Sequence, residues 1–404
     1  MTSSHNETAT YVEDAKSRSS FWLILIVFFS TVATMMVTTV LPSYFNLLGL
    51  TYEQIGRIEG WAAFVAFFSK FWSGVFSDKI RKRQQIVALG AALSVLSKAS
   101  FTLATGYASI LAVQVCDRFA KGMRSCPLDA MISDCAGKRK RSYGLKHVAF
   151  FCGSIFGSYL TFRLLRDAHL GIKSIFTVAA IPAIVASFIA SNKLNDNKVQ
   201  LEGEKISLMY ALKNIDRYLW RLYSVLFLLM FARFSISFLI LKSISLGTPI
   251  ASIPRMFMLY DCSAAFAALF WSAVASKVRQ DLLFKAALIA HIMAHCVLVV
   301  AHQSWILYSS IILAGIHIGM SQGSIMFMIS SHAKPFNRAT AFSIYSLVAS
   351  VGLLLSNRIA GLLSSYNPSY AFLCGASLSA FALLAFTLLE KSRSNREGQL
   401  LNVS

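Results

Sequence analysis

Residues Gly74–Gln85 read GVFSDKIRKRQQ, a stretch in which one acid and four basic residues lie close together. The apolar runs Arg57–Ser77 and Gln85–Ala104 flank this stretch. Each run has about 20 residues, which is the length of helix that crosses about 30 Å of hydrocarbon. A charged turn between two such runs indicates two membrane-spanning helices that meet at one membrane surface.

Apolar runs of this length recur along nearly the whole chain, which has 404 residues, of which 56% are hydrophobic and 14% charged. A segment that crosses a bilayer must satisfy its own backbone hydrogen bonds, and a run of this length can do so as an α-helix. We therefore predict an all-α membrane protein with twelve transmembrane helices. The predicted spans are Phe21–Leu41, Arg57–Ser77, Gln85–Ala104, Ser109–Ser133, Tyr143–Leu165, Ile172–Ser191, Tyr218–Leu241, Pro254–Ser276, Leu282–Ala301, Trp305–Ser330, Asn337–Leu363 and Tyr370–Leu389.

The spans fall into two sets of six on either side of a polar linker. We predict a cytoplasmic N-terminal tail at 1–20 and a first six-helix bundle at 21–191. A cytoplasmic linker at 192–217 separates it from a second six-helix bundle at 218–390, and a cytoplasmic tail follows at 391–404.

The net charge of +20 reports membrane topology. Basic residues concentrate in alternate connections and at the C-terminal end, whereas the opposite loops hold few. Cytoplasmic loops carry such an excess of Lys and Arg, so both termini are predicted in the cytoplasm and no nucleic-acid partner is needed. The basic clusters are Lys79, Arg81, Lys82 and Arg83; Lys138–Arg141; Lys193, Lys198, Lys205, Lys213 and Arg217; and Lys391, Arg393 and Arg396.

The two halves of the sequence resemble each other. KGMRSCPLDAMISDCAGKRKRSYGL, from Lys121, aligns without gaps on IGMSQGSIMFMISSHAKPFNRATAF, from Ile318, at an offset of 197 residues. Parallel repeats of six spans are one known transporter architecture, with the substrate site between the repeats.

The charged turn resembles the signature Gly-x-x-x-Asp-Arg/Lys-x-Gly-Arg-Arg/Lys of the major facilitator superfamily. Matching residues are Gly74, Asp78, Lys79, Lys82 and Arg83, while Arg81 stands at the usual second Gly. A decayed copy, SAVASKVRQ, begins at Ser272 and keeps Lys277 and Arg279. The resemblance covers the whole chain and implies two six-helix bundles that transport a small solute by alternating access. Bacterial permeases of this superfamily without an assigned substrate are similar, which implies the inner membrane as location.

The resemblance also implies a cytoplasmic gate at the charged turn. Gly74 would let the second span approach a neighbouring helix. Asp78 would face the N-terminal end of the eleventh span, and its basic neighbours would pair with Asp134 at the end of the fourth span. The alternative is a loop whose charges only set topology.

The fourth predicted span carries the charges Asp117, Arg118, Lys121, Arg124 and Asp129. Each would cost about 2.5–3.5 kcal/mol at the centre of a span, so they must pair or face water. Helical spacing places them on one polar face. Their repeat counterparts are Ala314, Gly315, Ile318, Ser321 and Met326, so the shared scaffold does not require charge here. Either the face contacts substrate or a coupling ion, or it is a self-neutralising structural network.

Other intramembrane polar residues are further candidates. Arg233 and Asp261, in the seventh and eighth spans, are predicted to line the cavity. Lys70 lies in the second span and could extend towards the cytoplasm. His291 and His295 share one face of the ninth span and are expected to serve helix packing.

We therefore predict a secondary transporter of an anionic or zwitterionic metabolite, because Arg118, Lys121, Arg124 and Arg233 outnumber the nearby acids. Asp117, Asp129 or Asp261 could carry coupling protons. We expect a monomer in the lipid bilayer, with neither enzymatic activity nor a cofactor or metal.

Two other functions remain open from the sequence. Gly144, Gly153 and Gly157 keep part of the spacing of the superfamily's antiporter signature, which would fit drug or toxin efflux by proton antiport. Ser158, however, stands in place of the Pro that should follow. The second is a sensor or scaffold that has lost transport.

The topology predicts that the linker lies in the cytoplasm. In an otherwise cysteine-free protein, Asp196→Cys should resist an impermeant thiol reagent added to intact cells. It should react once the cells are permeabilised. Labelling from outside intact cells would contradict the predicted orientation.

Overall fold

The computed structural model describes residues 2–80, 82–135, 139–194, 215–275, 277–333 and 338–401. These residues form helices and short connections, with no strand among them, so the predicted all-α class is confirmed. The helices are α1 (Thr2–Leu47), α2 (Tyr52–Ile80), α3 (Arg83–Ser100), α4 (Tyr107–Cys135), α5 (Arg139–Arg166), α6 (Ile172–Asn192), α7 (Arg217–Ala232), α8 (Ile236–Ser245), α9 (Ile253–Val274), α10 (Gln280–Val300), α11 (Ser304–His332), α12 (Arg338–Tyr366) and α13 (Pro368–Leu401). A 3-10 turn, Ile250–Ser252, precedes α9.

All twelve predicted spans correspond to helices, but the seventh is interrupted. Residues Arg233–Ser235 leave the helical conformation between α7 and α8, and the Ser235 hydroxyl caps α8 by accepting a hydrogen bond from the backbone N–H of Ser237. Serine at this position satisfies one of the free N–H groups of a helix start. The break therefore places polar backbone groups inside an apolar span.

The spatial proximity of residues divides the protein into two compact units. The first contains Met1–Tyr44, Val65–Glu202 and Ala251–Met258, and the second contains Phe45–Phe64, Gly203–Ile250 and Leu259–Ser404. Most of each unit comes from one half of the sequence. The extension of α2 up to Phe64 groups with the second unit, and the start of α9 groups with the first.

Small residues let the helices of the first unit approach closely. A β-carbon placed on Gly122 of α4 would lie 1.8 Å from the Ser69 hydroxyl oxygen and 2.6 Å from the Ala66 carbonyl oxygen of α2. The Ser73 hydroxyl donates to the Gly122 carbonyl across the same interface, at 3.2 Å. Contacts of this kind hold helices together in lipid. Lipid tails are as apolar as the side chains, so the hydrophobic effect does not drive helices together there.

The interface of α3 and α4 contains a buried ion pair. The Lys98 ammonium donates to an Asp117 carboxylate oxygen at 2.8 Å and to the Ser94 hydroxyl at 2.8 Å. Ser97 donates to the same Asp117 oxygen at 3.0 Å. Lys98 is 0% exposed and Asp117 is 4% exposed, so each charge depends on the other for compensation.

This dependence can be measured with a double-mutant cycle. Asp117→Leu should lower the free energy of unfolding by about 3–5 kcal/mol, because it leaves the Lys98 ammonium buried without a counter-charge. Adding Lys98→Met should recover most of that loss. Melting temperatures of the four purified proteins would reveal the coupling, whereas additive losses would mean that the pair does not act as a unit.

In the second unit, α2 packs its Gly56 and Gly60 against α12. A β-carbon on Gly56 would lie 2.5 Å from the Asn357 carbonyl oxygen and 2.9 Å from the α-carbon of Gly361. At Gly60 the Leu354 carbonyl oxygen would be 3.0 Å away. The two backbones are therefore in contact, with room for neither larger side chains nor water between them.

Candidate functional site

Three cations follow one another along α4. Arg118, Lys121 and Arg124 are spaced by three residues, so they lie on one side of the helix with a rise of about 4.5 Å between neighbours. The helix continues through Pro127 to Cys135. One continuous element therefore fixes the spacing of the three charges.

None of these cations forms an ion pair within the part of the chain that the structure describes. There, neither Arg118, Lys121 nor Arg124 makes an ion pair or a side-chain hydrogen bond. Arg124 is nevertheless only 7% exposed, and α3 contacts it at Gly90, where a β-carbon would lie 3.0 Å from the Arg124 β-carbon. Buried charges are normally paired, so this positive face has an unmet need for an anion.

The two acids predicted on the same face are already paired. Asp117 is held by Lys98 and Ser97 of α3. Asp129 pairs with Lys146 of α5 at 2.5 Å, and both side chains are about one quarter exposed. The self-neutralising alternative therefore fits the acids, but it leaves three cations over.

In the second unit, Arg233 lies in the break between α7 and α8. Its charge acts electrostatically on Tyr260 of α9, on Tyr345 of α12 and on His291 and His317. It makes no ion pair or side-chain hydrogen bond with any described residue. Asp261, next to Tyr260, is buried. Lys70, by contrast, is exposed on α2.

The histidines of α10 extend into a cluster that includes His317 of α11. The His291 ring stacks on His317 with 4.1 Å between centroids and meets His295 edge-on at 4.3 Å. His295 Nδ1 lies 2.9 Å from the His291 carbonyl, and His317 Nδ1 lies 2.8 Å from the Ala287 carbonyl. The described residues contain no group of three or more His, Cys, Asp or Glu side chains arranged to hold a metal ion. The cluster packs α10 against α11, as expected for His291 and His295.

Only part of the predicted cytoplasmic gate lies within the described side chains. Gly74 faces α4, where a β-carbon would lie 2.9 Å from Cys126 Sγ. Lys82 is exposed at the start of α3, and Arg83 is half-buried. The side chains of Asp78, Lys79 and Asp134 lie outside the described set. The proposed contacts of the gate therefore stay a prediction.

The decayed copy of the motif makes its own ion pairs. Arg279, just before α10, pairs with Glu390 of α13 at 2.5 Å and with Asp281 at 3.4 Å. Lys285 also pairs with Glu390. In the second unit this loop thus ties α10 to α13.

Sequence reasoning missed four polar residues that the structure brings into play. Lys98 and Lys146 pair with Asp117 and Asp129, His317 joins the histidine cluster, and Glu59 is buried on α2. The polar spacing Ser94, Ser97, Lys98 within an apolar run was the available clue to the first pair. His317 stands as a single polar residue in an apolar run, whereas Lys146 and Glu59 lie close to other charged residues, so nothing in the local pattern marks them.

Known proteins resemble this chain over nearly its full length. An uncharacterized MFS-type transporter of Methanocaldococcus jannaschii, MJ1317, is 24% identical over 380 residues, covering 90% of this chain and 92% of the relative. The nucleoside transporter NupG has the same fold, with a TM-score of 0.77 at 15% identity over 92% of this chain and 99% of the other. The human organic anion transporter MFSD10 (TETRAN) gives a TM-score of 0.63 at 17% identity, over 93% of this chain and 99% of the other.

The family follows from a sequence profile and not from these individual likenesses. The profile of the Major Facilitator Superfamily matches residues 23–284 and 222–402, which together include nearly all the helices. Such a chain is a multi-pass membrane transporter of small molecules and not an enzyme. The protein belongs to the Major Facilitator Superfamily.

Proposed function

We propose that this transporter carries a small anionic or zwitterionic metabolite, whose negative group binds to Arg118, Lys121 and Arg124 on α4. The observation that carries the proposal is the surplus of positive charge on this face. Asp117 pairs with Lys98 and Asp129 pairs with Lys146, so both acids of the face have their own cation and three further cations remain in surplus. A transported anion would supply the missing charge each time it binds.

The residue types suit an anionic ligand. The planar guanidinium of arginine binds carboxylate or phosphate through two parallel hydrogen bonds and keeps its charge when buried. Arg124 is the most buried of the three, so its bonds to an anion would be least weakened by water. Arg233 in the second unit, also without an ion pair among the described side chains, is a second candidate contact.

The fold itself admits more than one solute class. Among solved structures with this fold, one is an organic anion transporter and another a nucleoside transporter, so the fold alone does not choose. The charges of α4 favour the anion. Gly153 and Gly157 let α5 approach α1, since β-carbons there would lie 2.8 Å from backbone carbonyls of α1, and this packing does not distinguish efflux from uptake.

We further propose that the protein works by alternating access in the plasma membrane, as a monomer with both termini in the cytoplasm and with proton coupling. Asp117 and Asp129 are tied up in ion pairs, so they are poor candidates for the coupling acid. Asp261, the third acid that the sequence offers for this role, is buried beside Tyr260.

The anion proposal predicts a specific loss of binding in Arg124 variants. Small carboxylates, phosphorylated compounds and their uncharged analogues would be screened for those that raise the melting temperature of the purified protein. We expect the stabilising ligands to be anions or zwitterions. Arg124→Ala should weaken their binding by about 10- to 100-fold, because a hydrogen bond to a charged group contributes about 1.5–3 kcal/mol. Arg124→Lys should lose part of that, since it keeps the charge without the fork.

Arg163→Ala is the matched control, because Arg163 is an exposed arginine of the same unit that pairs with Asp167. It should bind ligand like the wild type. Two results would contradict the proposal. One is a ligand set made up of cations; the other is an Arg124→Ala protein that melts lower but keeps its full ligand stabilisation.

The gate proposal concerns Asp78. Asp78→Asn keeps the shape of the side chain but removes the charge that would face a helix terminus, so transport should fall severely while membrane insertion survives. Asp196→Asn, which alters an acid of the linker, should transport normally. Uptake of the identified solute into vesicles is the measurement. Wild-type rates in a correctly inserted Asp78→Asn protein would leave topology as the only role of the turn.

A further inference from the structure

Glu59 is a buried acid that the proposed anion site does not use. It lies on α2 between Gly56 and Gly60, in the part of that helix that belongs to the second unit. The residue is only 8% exposed. An acid this deep in a membrane-spanning helix needs compensation for its charge or has to be neutral.

Tight packing keeps water from the side of α2 that carries Glu59. The flanking glycines bring α2 into backbone contact with α12, at Asn357, Leu354 and Gly361. Any larger residue at Gly56 would force the helices apart, because its β-carbon would lie 2.5 Å from the Asn357 carbonyl oxygen. Glu59 is thus enclosed as long as this contact holds, and it meets water when the contact opens.

The partner of Glu59 is the start of α8, just after the break in the seventh span. The Ser237 hydroxyl donates to a Glu59 carboxylate oxygen at 2.8 Å. The Ser235 hydroxyl donates to the Ser237 hydroxyl at 3.0 Å, and the Ser235 N–H donates to the Asn357 side-chain oxygen at 2.7 Å. One hydrogen-bonded chain therefore links α2, α8 and α12 through Glu59.

Within this hydrogen-bonded network, Glu59 contacts only neutral groups. Across the described residues Glu59 has no ion pair, and its hydrogen-bond donor is the Ser237 hydroxyl near the start of α8. The ionisable side chains of the surrounding elements lie or make their contacts elsewhere. Glu53 and Arg57 form an exposed pair, and Lys242 donates to the Leu298 carbonyl. Arg358 is exposed on α12, and Arg233 acts electrostatically on His291 and His317.

We propose that Glu59 binds and releases the coupling proton, and that proton binding is linked to the docking of α2 on α8 and α12. This inference rests on the proposed proton-coupled transport and names the acid that performs it. In the docked arrangement a proton on the carboxylate removes a charge that neutral groups compensate only in part. When α2 separates, water reaches the group, and the proton passes from the carboxyl oxygen to water as that O–H bond breaks. Because linkage is reciprocal, docking favours proton uptake as much as proton uptake favours docking.

Hydrogen exchange of the purified, full-length protein without substrate tests this linkage. Peptides from residues 52–64 and 236–245 would be followed in mildly acidic and mildly alkaline buffer, with rates corrected for the intrinsic effect of pH. In the wild type we expect exchange at these helices to be several-fold slower in acid. Glu59→Gln, which is neutral at every pH and keeps the shape, should exchange slowly in both buffers.

Glu53→Gln is the matched control, because Glu53 lies on the same helix but is exposed and paired with Arg57. It should keep the pH dependence of the wild type. A wild type without pH dependence, or a Glu59→Gln protein that retains it, would overturn the proposal. Protection restored by sodium in alkaline buffer would also overturn it, in favour of a metal cation.

Ser237→Ala provides a second test of the proposal if Glu59→Gln does not fold. It keeps the acid and removes the hydroxyl that donates to it, so the pH dependence of exchange should change. An unmoved dependence would mean that Glu59 is not the titrating group. The substrate-free readout also separates the two proposals: a failed Arg124 test with a successful Glu59 test would refute anion binding only, and the reverse would refute only the proton site.

Discussion

Hydrocarbon offers no hydrogen-bonding partner, and this constraint governs the whole chain. Backbone groups must be satisfied within each helix, which leaves helices as the spanning elements. Helices then attract one another through close packing at small residues, as at Gly122 against Ser69. Any charge inside a span must be neutralised by protein, by water or by a bound ligand. The ion pair of Lys98 and Asp117 is the clearest case of neutralisation by protein.

Both halves of the sequence place polar side chains between their third and fourth helices, but the side chains differ in type. His295 occupies the repeat position of Lys98, since both positions differ by the offset of 197 residues. His317 lies three residues beyond the counterpart of Asp117 on the facing helix. The third and fourth helices of each set of six thus share a polar contact: Lys98 with Asp117 in the first set, and His291, one turn before His295, stacked on His317 in the second. Its recurrence marks this contact as part of the scaffold, whereas Arg118, Lys121 and Arg124 have no charged counterparts and belong to one half only.

The length of the apolar runs was sufficient to predict the helices, because the hydrocarbon thickness sets the minimum length of a spanning helix and each run has that length. The break at Arg233–Ser235 escaped prediction, since one arginine and one serine barely alter the apolar character of Tyr218–Leu241. Pairings between helices also escaped. Helical periodicity reveals which residues share a face, but it does not reveal what the neighbouring helix presents to that face, so Asp117 could be placed on a stripe while its partner 19 residues earlier could not be named. Glu59 was overlooked for the same reason, because its environment is built by α8 and α12, far along the chain.

Charged groups without an ion pair in the described part of the protein indicate where ligands bind. A permanent structural charge gains from a permanent partner, as Asp129 does from Lys146. A charge that must bind something and later release it cannot keep such a partner, because the partner would compete with the ligand in every cycle. The cations of α4 lack an acid, and Glu59 lacks a cation, in the part of the chain described. These groups have opposite signs and lie in different units. A transported anion at the first and a proton at the second would each supply compensation that comes and goes, which is what a transport cycle requires of its binding groups.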